Sequence, residues 1–354
     1  MRKTISFIIL FLTTLTFIAC TDNNNKNLIS GKTMGTHYHI SVVSPSNKKP
    51  IDQPALKKEI DALLIEVNRQ MSTYDPNSEI SQFNKYQQTD WFSVSKDFAF
   101  VVSSARVVSK ETQGAFDITV APLIDLWGFG AKTQFALPTE QKIKSSLKNI
   151  GYDLLEVRTS PPAIKKLNKN IRIDLSAIAK GFAVDKISKY LNEIGYLDYS
   201  VEIGGEVRNQ GFNSEGKPWV IGMESPRYGD WTINEVLLSS NLAIATSGDY
   251  RNYFIKDGIR YSHTINPTTG KPIRHNLATV TVLHESTMMA DAYATALMVM
   301  GDVQGKIFSE KNNLRINMIV RKGDDYIAWQ NIDKIKMPKP LQRCVKVGGC
   351  VYIK

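Results

Sequence analysis

The chain has 354 residues, of which 42% are hydrophobic and 22% are charged, and its formal net charge is +10. This length and composition are typical of a globular protein, with about two domains of roughly 150 residues as the expected organisation. Its Lys and Arg residues are dispersed among Asp and Glu, with no basic stripe interleaved with aromatic residues and no nucleic-acid-binding motif. A nucleic-acid partner is therefore excluded, and the charge favours a phosphate ligand or an anionic membrane surface.

The N-terminus predicts a secretory signal in residues 1–19. Arg2 and Lys3 precede an apolar run over residues 5–19, which is the arrangement of a signal peptide. At roughly 15 residues, this run is shorter than the ~20 residues that a membrane-spanning helix needs. Removal of the segment takes away Arg2 and Lys3 and lowers the formal charge from +10 to +8.

The end of this run predicts a lipid anchor. Ala19 followed by Cys20 resembles the cleavage site of bacterial lipoproteins, although Phe17 replaces the usual leucine. The alternative is an ordinary signal peptide that is cut nearby. We expect a lipidated Cys20 and a flexible polar tether over residues 20–30. The mature chain is then exported and lipid-anchored to a bacterial membrane, facing the periplasm or the cell exterior.

Hydrophobic periodicity predicts helices and strands that do not alternate regularly along the chain. The helical period is clear over residues 54–71 and 98–112. The predicted strands are residues 37–43, 171–175, 200–203, 219–223, 235–239, 243–245 and 278–283. This mixture favours an α+β fold over a doubly wound parallel sheet. Ser160-Pro161-Pro162 marks either a domain boundary or a tight turn.

Residues 171–191 predict a strand that leads directly into a helix. Ser176 is placed to cap this helix, whose unpaired backbone NH groups suit a phosphate or pyrophosphate. Gly181, one turn into the helix, indicates a close approach of another group to the backbone. The alternative is an ordinary capped helix with Lys180 in solvent.

Residues 288–301 predict a second helix that carries chemistry. Asp291 and Thr295 are four residues apart and share a face, where a carboxylate and a hydroxyl can hold one hard cation. Two such ligands suit Mg²⁺, which completes its octahedron with waters and substrate phosphates. Taken alone, Asp291 is better explained as a charge at a helix N-terminus and Thr295 as a core hydroxyl.

Residues 245–271 predict a hairpin with Asp257-Gly258 as its turn and His263 at the end of its second strand. A histidine at a strand end beside a turn is well positioned to act as a general base on a hydroxyl. The alternative is a structural histidine that forms hydrogen bonds.

Taken in chain order, the motifs resemble one family, the ApbE-type flavin transferases, which are FAD:protein FMN transferases. The matching segments are KTMGTHY, MSTYDPNSEIS, GAFDITVAPLIDLWGFG, IDLSAIAKGFAVD, VEIGGEV, ATSGDYRNYF, YSHTINPTTG and ADAYATALMVMG. They extend from Lys32 to Gly301, which is nearly the whole mature chain. Members of this family are exported, commonly as lipoproteins, in agreement with Cys20.

The resemblance implies transfer of the FMN half of FAD to a Thr or Ser hydroxyl of an acceptor protein, with release of AMP. The implied FAD contacts are Met34, Tyr74, Ala115, Phe116, Asp117, Asp174, Lys180 and Ile265. The implied Mg²⁺ ligands are Asp291, Thr295 and the backbone carbonyl of Ala177. His263 is the candidate base. The acceptors known for the family are flavin-carrying subunits of ion-translocating NADH:quinone reductases and related redox complexes.

The family fold implies an α+β catalytic domain over residues 31–340, in which mixed sheets and helices form two interleaved subdomains with FAD in the cleft between them. Residues 341–354 form a tail in which Cys344 and Cys350 could close a small disulfide loop. Two other functions stay open. One is an FAD pyrophosphatase that yields FMN and AMP with water as acceptor, and the other is a non-catalytic flavin-binding lipoprotein, which has no need of Asp291 and Thr295.

Overall fold

The computed structural model describes residues 26–45, 50–130, 137–224, 226, 233–250, 252–323 and 325–332. The predicted signal peptide, Cys20 and the C-terminal tail with Cys344 and Cys350 lie outside these residues. Within the described ranges, no helix has both the length and the apolar character that crossing a membrane requires.

The described chain folds into short and long helices that are interspersed with strands. The helices are α1 (Gln53–Met71), α2 (Glu79–Lys85), α3 (Lys96–Glu111), α4 (Ala121–Trp127), α5 (Glu140–Leu147), α6 (Ala179–Glu193) and α7 (Thr287–Lys311). The strands are β1 (Lys26–Thr33), β2 (Thr36–Val43), β3 (Phe92–Ser93), β4 (Leu155–Thr159), β5 (Pro162–Lys166), β6 (Tyr199–Ile203), β7 (Glu206–Gln210), β8 (Trp219–Glu224), β9 (Ile233–Ser239), β10 (Asn241–Gly248), β11 (Tyr253–Lys256), β12 (Ile259–Ser262), β13 (Ile265–Asn266), β14 (Lys271–Pro272), β15 (Leu277–His284), β16 (Arg315–Lys322) and β17 (Asp325–Gln330).

An eight-stranded sheet forms the centre of the fold, in the order β1-β2-β6-β7-β10-β15-β16-β17. Each neighbouring pair of strands is antiparallel. Helix α7 packs against β10 and β15, α6 packs against β6, β7 and α7, and α1 packs against β1 and α6. The helices thus cover an antiparallel sheet, and the predicted α+β class is confirmed.

A second, smaller hydrophobic cluster lies beside the large core. Its buried members come from α4, α5 and the β11–β12 and β13 region: Leu123, Trp127, Ile143, Tyr261 and Ile265. This cluster supports the hairpin whose second strand ends just before His263. The division into two interleaved subdomains stays a prediction.

Most of the periodicity predictions agree with the structure. The helices over residues 54–71 and 98–112 are confirmed as α1 and α3, and the strands other than residues 171–175 are confirmed as β2, β6, β8, β9, β10 and β15. Asp257 (φ 52°) and Gly258 (φ 72°) form the tight turn between β11 and β12. Ser160 and Pro161 lie in the turn between β4 and β5.

The flexible tether predicted to reach residue 30 is wrong for residues 26–30, which belong to β1. Lys26 pairs with Val43 at one end of the β1–β2 ladder. Ile29 is buried, and the Asn27 side chain donates a hydrogen bond of 3.0 Å to the hydroxyl of Ser44. The polar composition of this segment conceals the strand, because its asparagine amide is satisfied inside the fold.

The strand predicted at residues 171–175 is also wrong, although its alternating burial is present. Ile171, Ile173 and Leu175 are fully buried. The backbone of Ile173, however, bonds to a side chain, since Asn84 accepts from its NH and donates to its carbonyl, both at 2.8 Å. An asparagine amide therefore replaces the neighbouring strand that a ladder would need.

Ser176 does not cap the following helix. Helix α6 begins at Ala179 and has Ile178 at its N-cap position without a side-chain cap. The carboxylate of Asp174 accepts a hydrogen bond of 2.7 Å from the Ser176 NH instead. This Asx-type turn separates the extended segment from the helix by a few residues.

Gly181 provides the close approach that its position predicts. A Cβ atom at this residue would lie 2.3 Å from the carbonyl oxygen of Thr287, in the first turn of α7. The two helices therefore meet at their N-terminal turns with no room for a side chain. The prediction of a close approach is confirmed, and the approaching group is the backbone of another helix.

Asp185 satisfies the backbone at the start of α7. Its carboxylate accepts hydrogen bonds from the Ser286 hydroxyl at 2.7 Å, the Thr287 NH at 3.0 Å and the Met288 NH at 3.1 Å. A carboxylate at this position pairs NH groups that a helix start leaves open and interacts favourably with the helix dipole. Helix α6 thus supplies a cap for α7.

Lys166 is a fully buried cation near the extended segment. Its ammonium donates to the carbonyl oxygen of Tyr86 at 2.8 Å and lies 4.7 Å from the ring centre of Phe83. Burial, with a smaller contribution from the charge of Arg172, lowers the pKa of Lys166 to about 8. This residue therefore anchors the chain just after Asn84, which holds Ile173 in place.

We predict that Lys166 makes the stability of the fold change with pH in the alkaline range. Because its pKa is lower in the folded chain, the unfolded chain binds more protons between about pH 8 and pH 10.5. The wild type should gain stability relative to Lys166→Met across this window, by on the order of 3 kcal/mol in total. Urea unfolding of both proteins at several pH values measures the difference. Lys165→Met is the matched control. If the wild type gained as much stability with pH relative to Lys165→Met as relative to Lys166→Met, the assignment would be contradicted.

Candidate active site

Lys180 lies between two carboxylates at the start of α6. Its ammonium nitrogen is 3.2 Å from Glu206 Oε1 on β7 and 3.8 Å from Asp291 Oδ1 on α7. Burial acts to lower the pKa of Lys180, but the charges of Asp291 and Glu206 outweigh burial and raise it. The side chain is a permanent cation in a half-buried position, so the alternative of a solvated lysine is wrong.

Asp291 is held by the backbone of α6. It is 3% exposed, and its Oδ2 accepts a hydrogen bond of 3.1 Å from the Gly181 NH. Burial raises the pKa of Asp291, while the charge of Lys180 and the Gly181 hydrogen bond oppose the rise. The Gly181 NH that could have served a phosphate is therefore bonded to a carboxylate of the protein itself.

The carbonyl of Ala177 is left open by this arrangement. In an uninterrupted helix the Gly181 NH would donate to that carbonyl, four residues earlier, but here it donates to Asp291. Across the parts of the chain that the structure covers, no backbone NH donates to the Ala177 oxygen. A carbonyl without a donor beside a buried carboxylate is a suitable ligand for a hard cation.

Thr295 lies one turn after Asp291 on α7, and its hydroxyl is 3.4 Å from the hydroxyl of Ser247 on β10. The three predicted Mg²⁺ ligands, Ala177, Asp291 and Thr295, all present oxygen, which Mg²⁺ prefers. In the described ranges, no group of three or more His, Cys, Asp and Glu side chains could hold a metal. The donor set is therefore sparse, and it fits a cation that keeps waters and binds substrate phosphates.

The loop that contains Ala115, Phe116 and Asp117 is joined directly to the extended segment before α6, because the Asp174 NH donates to the Ile118 carbonyl at 2.8 Å. Phe116 is 2% exposed and belongs to the large core, so a ligand could meet this residue through its backbone. Ala115 and Asp174 are half-buried.

Asp117 is buried and stabilises its own loop. Its Oδ1 accepts from the Thr119 NH at 2.8 Å and from the Thr119 hydroxyl at 2.6 Å. Burial raises the pKa of Asp117 in spite of these hydrogen bonds. One carboxylate oxygen is thus committed to the loop, which fixes the direction of the other.

Met34 and Tyr74 lie in the turns that follow β1 and α1. Met34 has a φ of 49° in the turn between β1 and β2 and packs against the large core. Tyr74 follows α1 and is 71% exposed. The Asn68 amide of α1 donates to the hydroxyl of Thr33 at 3.0 Å, which joins the end of β1 to the last turns of α1. An exposed aromatic face and a thioether suit an aromatic ring system.

His263 follows β12, and its Nδ1 lies 2.9 Å from the carbonyl oxygen of Asn252. Because a carbonyl only accepts, Nδ1 carries the hydrogen and Nε2 carries the lone pair. Burial lowers the pKa of His263, the Asn252 carbonyl opposes this, and the charge of Lys180 adds to the lowering. The neutral ring can therefore act as a base through Nε2, and the charge of Lys180 influences its pKa. Ile265 is buried in the smaller hydrophobic cluster.

Glu206 and Ser247 are part of the site, but sequence reasoning did not single them out. Glu206 is 2% exposed and begins β7 after the Gly204-Gly205 turn. Burial, together with the charge of Asp291, raises the pKa of Glu206 above its usual value, and the charge of Lys180 limits the rise. The available signal was a charged residue directly after a Gly-Gly turn in a hairpin with apolar strands. The structure does not test the assigned roles of the predicted site residues, which stay predictions.

Known proteins resemble this chain over most of its length. The FAD:protein FMN transferase of Vibrio cholerae is 43% identical over 299 residues, which are 84% of this chain and 88% of that protein. The enzyme of the same name from Haemophilus influenzae is 39% identical over 333 residues, 93% of this chain and 96% of that protein. The solved structure of the flavin transferase ApbE from Vibrio cholerae superposes with a TM-score of 0.79 at 41% identity, covering 86% of this chain and 96% of that one. The ApbE family matches residues 34–320. The chain therefore belongs to the ApbE family.

Proposed function

We propose that the chain is an FAD:protein FMN transferase that moves FMN from FAD to a Thr or Ser hydroxyl of an acceptor protein and releases AMP. The single observation that carries this proposal is the pairing of a permanent cation, Lys180, with the buried carboxylate of Asp291 where α6 and α7 meet. The reaction breaks a pyrophosphate bond, so its site must stabilise negative charge on phosphate oxygens. The relatives described above carry the same name.

The phosphate side of the reaction falls to the residues around α6. Lys180 offers its ammonium to phosphate oxygens, while Asp291, Thr295 and the Ala177 carbonyl would hold Mg²⁺. When bound, the cation neutralises charge on the pyrophosphate and on the departing AMP. The buried position of Asp291 excludes water from one side of this charge cluster, which strengthens its electrostatic effect.

The flavin side falls to the loops that surround this cluster. Tyr74 and Met34 supply surface for the ring system, and Asp117 and Asp174 supply hydrogen-bond acceptors. Ala115 and Phe116 contribute backbone, as does Ile265, since the side chains of Phe116 and Ile265 are buried. These residues orient FAD so that its FMN phosphorus faces the acceptor hydroxyl.

His263 is the base of the proposed reaction. Its Nε2 takes the proton of the acceptor hydroxyl, whose oxygen forms the new bond to the FMN phosphorus while the bond to AMP breaks. Because Asn252 fixes the hydrogen on Nδ1, the ring is held in the tautomer that this step needs. The acceptors that we propose are flavin-carrying subunits of NADH:quinone reductases and related redox complexes.

We predict that Asp291→Asn lowers transfer on the order of 100-fold or more, because this residue supplies the charged oxygen of the donor set. The mature chain is incubated with FAD, Mg²⁺ and a candidate acceptor subunit. Mass spectrometry then detects FMN on Thr or Ser, and chromatography measures AMP. Asp302→Asn, just after the kink at Gly301 in α7, is the matched control and should retain transfer.

Three outcomes of this experiment contradict parts of the proposal. AMP and free FMN without an adduct would identify an FAD pyrophosphatase. Neither AMP nor adduct with any acceptor would favour a non-catalytic flavin-binding protein. Full activity of Asp291→Asn would remove this residue from the cation site.

We predict that His263→Gln lowers kcat by about 100-fold with little change in FAD affinity, since a general base typically contributes that much or more. The lowered pKa of His263 should keep the wild type active below pH 6.5, with an acid limb as the ring becomes protonated. This limb should be absent in the variant. FAD fluorescence titration and a pH series of transfer rates measure both effects, with His37→Gln, at an exposed position, as control. An acid limb that persists in His263→Gln would contradict the role.

The location that we propose is a bacterial membrane, where the mature chain is anchored through a lipid on Cys20 and faces the periplasm or the cell exterior. The support is the order of Arg2, Lys3, the apolar run and Ala19 before this cysteine. A mature charge of +8 also favours an anionic membrane surface.

We predict that the full chain, expressed in a bacterial host, partitions into the detergent phase of Triton X-114 and that Cys20→Ser moves it to the aqueous phase. Acyl chains on the cysteine supply the hydrophobic free energy for membrane binding. Intact-mass measurement shows whether lipid is attached. An unlipidated wild-type protein cut near residue 20 would support the ordinary signal peptide instead.

A further inference from the structure

Glu206 is a buried carboxylate that the proposed reaction does not use directly. It is 2% exposed, and in the part of the chain that the structure describes its Oε2 has no hydrogen-bond partner. Its Oε1 lies 3.2 Å from the ammonium of Lys180. A buried carboxylate with a single cationic partner costs desolvation energy and adds little net stability, so its effect on Lys180 is the consequence of interest.

The turn that precedes Glu206 packs closely against a neighbouring residue and carries a hydrogen bond. Gly204 (φ 61°) and Gly205 (φ 105°) form the turn between β6 and β7, and a Cβ at Gly204 would lie 2.8 Å from a methyl carbon of Thr36. The Gly205 NH also donates to the side chain of Glu202 at 2.8 Å. The turn before Glu206 is therefore closely packed and hydrogen-bonded, and it brings the side chain to within 3.2 Å of Lys180.

Lys180 lies closer to Glu206 than to Asp291, at 3.2 Å against 3.8 Å. Without a charge on the Glu206 side, the ammonium would pair with Asp291 alone. It would then compete with a divalent cation for Oδ1 of that residue, since like charges at this distance repel. The carboxylate of Glu206 gives the ammonium a second partner, which is closer than Asp291.

We propose that Glu206 is a positioning residue that holds the Lys180 ammonium off Asp291 and leaves that carboxylate available to a divalent cation. The inference rests on the cation site of the proposed function. It states that the buried ion pair of Glu206 and Lys180 affects the affinity of the site for a divalent cation. This affinity can be measured without FAD, acceptor or turnover.

The test measures Mn²⁺ binding to the mature chain by the electron paramagnetic resonance signal of free Mn²⁺. Glu206→Gln should weaken binding about 10-fold, as changes next to metal ligands commonly do. Lys180→Met should not weaken it, and the double variant should match Lys180→Met within about twofold, because Glu206 acts through Lys180. Glu206→Asp retains the charge and should stay near the wild type. Glu193→Gln, an exposed carboxylate on α6 that is paired with Lys189, is the matched control.

If Glu206→Gln lowers Mn²⁺ affinity as much in the Lys180→Met background as in the wild type, the proposal is overturned. It is also overturned if Glu206→Gln binds Mn²⁺ as tightly as the wild type. Far-UV circular dichroism and urea midpoints show whether each variant folds. If Lys180→Met does not fold, the contrast between Glu206→Gln and Glu206→Asp decides, and equal affinity of these two variants overturns the proposal.

The result is separable from the proposed function. A wild type that binds no Mn²⁺ would overturn the cation site itself. In that case, metal-free urea unfolding still tests the Glu206–Lys180 pair, because the double variant should recover at least half of the midpoint lost in each single variant. No recovery would overturn the pair as well.

Discussion

The contact between the first turns of α6 and α7 is the constraint on which the site depends. Gly181 lies directly against the backbone of Thr287, and each helix satisfies the start of the other with a carboxylate. Asp185 of α6 accepts from the NH groups of Thr287 and Met288, and Asp291 of α7 accepts from the Gly181 NH. Positive helix ends that would repel one another are thus held together by two acids.

This exchange explains why the charged residues have defined positions. Because the Gly181 NH is bonded to Asp291, the Ala177 carbonyl loses its usual partner, and Asp291 stays beside Lys180. The long antiparallel sheet supports the arrangement, since α7 packs on β10 and β15 and α6 packs on β6 and β7. The chemistry at the helix starts therefore follows from close packing of the backbones.

Periodicity in the sequence predicted the helices and strands that pack or pair with other regular elements. Helices α1 and α3 and the strands of the sheet bury one face, which the apolar spacing records. Residues 171–175 show the same alternation, but their hydrogen-bond partner is the side chain of Asn84, which no spacing rule identifies. The segment was therefore misassigned as a strand, and Ser176 as a cap, because Asp174 forms a local turn instead.

The sequence predicted the types of residue in the site better than it predicted the contacts between them. Gly181 in a helix signalled a close approach from sequence alone. Glu206 could not be recognised, because a buried glutamate depends on a lysine that is distant in sequence and on a hairpin geometry that brings the two together. The polar residues of β1 concealed a strand for a similar reason, since their partners lie on β2 and in the residues that follow it.

The early start of β1 has a consequence for where the enzyme can work. With a lipid on Cys20, only residues 21–25 separate the anchor from Lys26, the first residue of the sheet. Six residue steps span at most about 20 Å. The catalytic domain is then confined to a thin layer above the bilayer. The thickness of this layer is roughly the breadth of the domain plus the length of the tether. Substrate proteins that stand on the same membrane enter that layer by lateral diffusion, whereas a freely diffusing protein has no such advantage.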